Sequence, residues 1–195
     1  MIKKYLFIPL IVVISLCGGE ADDAEVVETT ENTVNTNVEQ PTVDLLVSVQ
    51  DNDLNTVNQH IAYGSDLNVQ DGTFSNTPLN FAGIYGLTDI AKSLVDAGAD
   101  LNLVNADNFT PLCNAAAWGH TEVVTILLDA GADISAKCFE TQIGISVAVA
   151  IAISAPYSDY IKALYVDHGE KYNIPYDEAE IILGREKVTE LLSSR

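Results

Sequence analysis

The stretch Thr110-Pro111-Leu112-Cys113-Asn114-Ala115-Ala116-Ala117-Trp118-Gly119-His120-Thr121-Glu122-Val123-Val124-Thr125-Ile126-Leu127-Leu128-Asp129-Ala130-Gly131-Ala132-Asp133 decides the fold. A threonine followed by proline reads as a helix start, with the hydroxyl as cap and the proline at the first helical position, where no N–H is needed. Three alanines favour the helix and let a neighbour approach closely. Gly119 offers a left-handed stop. A second helix is predicted over 121–130, with Val123, Val124, Ile126, Leu127 and Leu128 on a broad apolar face, and Gly131 as its stop.

Working outward, the same words return. Thr77-Pro78-Leu79 precedes Thr110-Pro111-Leu112 by 33 residues, and Gly98-Ala99-Asp100-Leu101-Asn102 precedes Gly131-Ala132-Asp133-Ile134-Ser135 by 33. Tyr63-Gly64-Ser65-Asp66-Leu67-Asn68 stands 34 residues before the first of that second pair. Self-similarity at this period is the signature of a stack of helix-pair units. These residues resemble the ankyrin repeat, with its TPL start, alanine pair, GH and GAD close. The unit 105–137 matches nearly throughout, with Cys113 in place of the family's histidine. The unit 72–104 matches well, with Asn80 at that same position and Leu87 where the histidine of GH belongs. The unit 42–71 is degenerate. Asp44 is read at the proline position and Asn52 at the first glycine, while its second helix, 54–63, keeps Leu54, Val57 and Ile61. A polar first unit suits an N-terminal cap.

The fourth unit, 138–172, is irregular. Its first helix, predicted over 145–155, alternates large and small residues with period two, a strand-like pattern that the repeat context is expected to override. Its second helix is predicted over 160–169. Residues 173–195 read as a closing helix, with Asp177, Glu178 and Glu180 favouring its N-terminus and Val188, Leu191 and Leu192 forming its apolar face. The fold class is therefore all-α: an ankyrin-repeat solenoid of about four helix-pair units over 42–195, plus a C-terminal capping helix.

Ahead of this domain stands an address. Lys3 and Lys4 precede a nearly unbroken apolar run of 12 residues, 5–16, which is short of the about 20 residues of a membrane span. Residues 1–16 read as a signal peptide. Ile14-Ser15-Leu16-Cys17-Gly18 resembles a bacterial lipobox, which implies lipidation of Cys17, although Leu16 stands where that motif prefers a small residue. Residues 17–41 read as an acidic, disordered tether. Seven acids and no cation lie in 18–40, and such a chain spans roughly 25 Å. The expected location is the cell envelope, lipid-anchored to a membrane or periplasmic.

Charge narrows the function. The chain of 195 residues carries 28 Asp+Glu against 9 Lys+Arg, a formal net charge of −19, and 48% hydrophobic residues. Nucleic acid is excluded as a partner because phosphate binding needs clustered cations. A basic protein partner fits. Cofactors and metals are not expected: Cys17, Cys113 and Cys138 match no zinc spacing, and no phosphate loop, GxSxG or HExxH occurs. An enzyme would need a site around Tyr157, Asp159 and His168, which have no recognised acid–base spacing. Cys113 and Cys138 fall near one unit junction, where a disulfide is feasible and two buried thiols are the preferred reading.

The resemblance implies a non-catalytic, monomeric module that binds a protein through a groove of turn tips and first helices. The family's variable groove positions fall on Thr73, Phe74, Asn76, Ile84 and Tyr85 in the second unit, and on Ala106, Asp107, Phe109, Ala117, Trp118 and Lys137 in the third. In the fourth they fall on Phe139, Glu140 and Gln142. Five aromatics, Phe74, Tyr85, Phe109, Trp118 and Phe139, are expected on one surface beside carboxylates. Packing of some of these rings between units is the competing reading. Other functions weighed are an accessory or immunity protein that inhibits or protects a secreted enzyme, and a spacer between envelope layers.

Overall fold

The computed structural model describes residues 38–136, 138, 166–167, 169–175 and 177–194. The signal peptide, Cys17, most of the tether and the two expected helices of the fourth unit up to residue 165 lie outside the described residues. What is described is helical, with no strand among the described residues. Three helix pairs follow one another: α1 (Leu45–Gln50) with α2 (Leu54–Tyr63), α3 (Pro78–Tyr85) with α4 (Thr88–Asp96), and α5 (Pro111–Trp118) with α6 (Thr121–Asp129). A longer helix, α7 (Glu178–Ser193), ends the described chain.

Local chemistry sets these boundaries. Thr77 and Thr110 cap α3 and α5, accepting hydrogen bonds from the backbone N–H of Asn80 and Cys113, and a proline fills the first helical position of each. Asp44 does the same for α1 by accepting from Leu46 and Val47. It therefore occupies the place of the capping threonine, and Leu45 that of the proline, one residue off the register read from sequence. The error has a chemical reason, since aspartate and threonine are equivalent caps. Asn52 has φ +55°, a left-handed conformation at the place where the later units use glycine. Gly119 has φ +79° and ends α5.

Each pair buries its face against the next. First helices touch along α1, α3 and α5, and second helices along α2, α4 and α6. Leu79, Phe81, Ile84, Ile90, Leu94, Leu112, Val123, Val124 and Leu127 are fully buried, each worth about 1.5–3 kcal/mol of transfer free energy. Polar side chains cross the same seams. Asn114 Nδ2 donates to Asn80 Oδ1 (2.7 Å) and Asn105 Nδ2 to Asn76 Oδ1 (2.9 Å). Asn68 and Asn102 side chains accept from the amides of Asp100 and Asp133, 2.8 and 2.9 Å away. For the buried Asn76, Asn80, Asn105 and Asn114, pairing satisfies groups that burial would otherwise penalise. His120 belongs to this class, as its Nε2 lies 3.0 Å from the carbonyl oxygen of Ile84 in the preceding pair. A carbonyl only accepts, so Nε2 carries the proton.

The C-terminal helix obeys a different rule. Asp177 caps α7, and Ile181, Arg185, Val188 and Leu192 are its buried positions. It packs directly on α5 and α6, whereas the repeat register places a fourth helix pair between them. Two glycines meet in this contact: a Cβ on Gly184 would fall 2.8 Å from Gly119 Cα. Only backbone without side chains fits there. The structure also corrects the preferred reading of the cysteines. Cys113 and Cys138 are joined in a disulfide, with Cα atoms 5.8 Å apart. The third pair is thus held covalently to the residue where the fourth unit begins.

Candidate functional site

The second turn is built on Asp71. Its Oδ1 accepts from the amides of Phe74 (3.2 Å) and Asn76 (2.6 Å), and the backbone closes from Asp71 N to Asn76 O at 3.0 Å. An aspartate bonding its own following amides is a self-organised turn. The turn carries Phe74, and on α3 the Phe81 and Tyr85 rings stack with centroids 6.1 Å apart.

Tyr172 enters the groove between that turn and α3. Its ring meets Phe81 edge-on at 5.0 Å and 85°, and Phe74 at 5.9 Å and 60°. Its hydroxyl donates to Asp71 Oδ2 (2.9 Å) and accepts from Asn76 Nδ2 (3.3 Å). Tyr85 donates its own hydroxyl to the backbone carbonyl of Tyr172 at 3.0 Å. Ring, hydroxyl and carbonyl of one residue are all engaged. Burial pushes the Tyr85 phenol up to about 12. Tyr172 is pushed further up, by burial first and then by Asp71. Both are neutral donors at physiological pH. Burial also holds His120 below the usual imidazole range.

The structure sorts the expected groove residues into groups. Phe74, Asn76 and Tyr85 come together around Tyr172. Asn76 is fully buried and works through its amide, and Ile84 is fully buried behind the site. Asp107 is half-buried on the third turn, where its amide donates to Asn105 Oδ1. Phe109 and Trp118 retain only 2% and 7% of their exposure. Burial removes both rings from a solvent-facing patch, as the competing reading anticipates. Thr73 and Ala106 are exposed and Ala117 is buried. Lys137, Phe139, Glu140 and Gln142 lie outside the described residues.

Asp71, Phe81 and Tyr172 were not legible as site residues. Asp71 carried one signal, the Asp71-Gly72 pair typical of turns. Tyr172 carried none, because its partners are up to 101 residues away.

A cleft of about 450 Å³ adjoins the site, with Tyr85, Trp118 and His120 on one side and Ile174, Pro175, Glu180 and Gly184 on the other. No group among the described residues could hold a metal ion. None of the described helices is long and apolar enough to cross a membrane. The arrangement engages a side chain and a backbone carbonyl of this chain through neutral phenols.

Consecutive helix pairs, each packed on its neighbours and joined by projecting turns, define an all-α repeat solenoid. Residues 45–138 match the family model described as ankyrin repeats, in three copies, and this segment is an ankyrin-repeat array. Such repeats are in general protein–protein interaction modules and typically non-catalytic. No curated protein is significantly similar to the chain.

Proposed function

We propose that this chain is a non-catalytic, monomeric protein-binding module displayed in the cell envelope, and that it takes its partner in the groove between the second turn and α3. One observation carries the reading. That groove already holds a polypeptide segment of this chain by aromatic and hydrogen-bond contacts, which are the contacts of an interface hot spot. The excess of 28 acids over 9 cations favours a basic partner by electrostatic steering.

Envelope display rests on the charged and apolar N-terminus, with Cys17 as the lipid anchor and the only membrane attachment. The Cys113–Cys138 disulfide supports it independently, since disulfides persist in oxidising compartments. Metabolic labelling with a palmitate analogue tests the anchor, and Cys17→Ser should abolish the label. Capture of partners from envelope extract by the wild type, against a Phe74→Ala/Tyr85→Ala variant, tests the groove. Loss of the captured proteins with the double variant supports the assignment, and equal recovery defeats it.

A further inference from the structure

The seat of Tyr172 reads more than an aromatic ring. Its two polar groups are fixed before anything docks. Asp71 Oδ1 is committed to the amides of Phe74 and Asn76, and Oδ2, which also takes a long bond from the Thr73 amide (3.4 Å), accepts its shorter one from the phenol. Asn76 Oδ1 is committed to Asn105 Nδ2 (2.9 Å), which leaves the amide nitrogen for the phenol oxygen. One acceptor and one donor thus face a single hydroxyl, matching the one proton and the lone pairs of tyrosine. Tyr85 reads the backbone carbonyl of the same residue. Of the neighbours of Tyr172, Lys171, Asn173 and Pro175 are exposed, while Ile174 packs against the core. Tyr172 makes the segment's polar contacts with the groove.

We propose that this seat is a tyrosine-reading docking site for a polypeptide partner, and that Tyr172 is its resident competitor. The inference rests on the groove reading of the proposed function and deepens it by naming the partner's chemistry: a tyrosine on an exposed segment. Phenylalanine fits the rings but takes from Asp71 Oδ2 its shorter bond and from the buried Asn76 amide nitrogen its phenol oxygen, and a buried polar group left unpaired weakens binding by roughly tenfold or more. A partner gains the seat by displacing a group tethered to the same chain, so wild-type affinity is depressed by the tether's effective concentration.

The test uses the full chain and a blocked, fluorescein-labelled peptide of the sequence 169–175 (Gly-Glu-Lys-Tyr-Asn-Ile-Pro), read by fluorescence anisotropy. Tyr172→Ala should bind this peptide at least tenfold more tightly than the wild type. A peptide with phenylalanine for the tyrosine should bind that variant roughly tenfold more weakly, and one with alanine not measurably. Circular dichroism establishes that Tyr172→Ala is folded. If it is not, Tyr172→Phe, which keeps the ring contacts and loses the hydroxyl, should still bind the peptide more tightly than the wild type. Equal binding of the tyrosine and alanine peptides, or equal affinity of variant and wild type, overturns the proposal. So does a wild-type dimer in sedimentation that Tyr172→Ala abolishes, because the seat then belongs to a second copy. No partner is needed for this assay. Failure here with groove-dependent capture intact leaves a docking module without tyrosine selectivity, and peptide binding without any captured partner refutes the broader reading instead.

Discussion

The seam between the second and third helix pairs and the junction of the third pair with α7 solve one problem by different means. At the seam, one contact recurs in register: Asn102 holds the amide of Asp133 as Asn68 holds that of Asp100 one unit earlier, and the Asn114–Asn80 and Asn105–Asn76 pairs cross beside it. At the junction nothing is equivalent. Gly184 of a long helix presses on Gly119 of a turn, and Tyr172 crosses to a turn and helix belonging to the second pair. Repetition makes an interface from local register, so errors are confined to a residue or two. A closing element has no register to follow and is fitted by shape.

The difference can be broken from either side. Truncating the seam should cost most. Leu79→Ala, at a fully buried position, should lower unfolding free energy by about 3 kcal/mol in urea and loosen neighbouring pairs together. Gly184→Ala, which forces a Cβ against Gly119 backbone, should cost about 2 kcal/mol. Hydrogen exchange should then speed up in α7 while the amides of α3 keep their protection.

High pH probes the docked tyrosines. Their protonated forms are favoured in the fold, so the stabilisation is complete below pH 10. It is lost as pH rises through the Tyr85 value of about 12. In ultraviolet titration Tyr85→Phe and Tyr172→Phe should each remove one late-ionising phenol. The smallest effect belongs to the surface. Lys92 and Asp96 form an exposed pair at 2.7 Å, and Lys92→Ala should change stability by no more than about 0.5 kcal/mol.

These contrasts follow what the sequence could show. The caps at Thr77 and Thr110 and the bounds of α2 were readable because each depends on neighbours a few residues away. Asp44 was misread by one position because two residue types cap equally well. The burial of Phe109 and Trp118 was not readable from their place in the repeat, which names a face without naming what covers it. The pairing of Cys113 with Cys138 was open for a similar reason, since spacing brings two thiols near but does not orient them. Tyr172 belongs to no repeat word, so its docking could emerge only from the folded chain.

One side chain links the two regions compared above. Asn76 holds the Tyr172 hydroxyl through its nitrogen and receives Asn105 through its oxygen, and Asn105 in turn holds the amides of Asp107 and Phe109. Vacating the seat therefore releases one end of a relay whose other end is the third turn. The amide resonances of residues 107 and 109 would register that event from a neighbouring unit, making the turn a built-in gauge of whether the seat is filled.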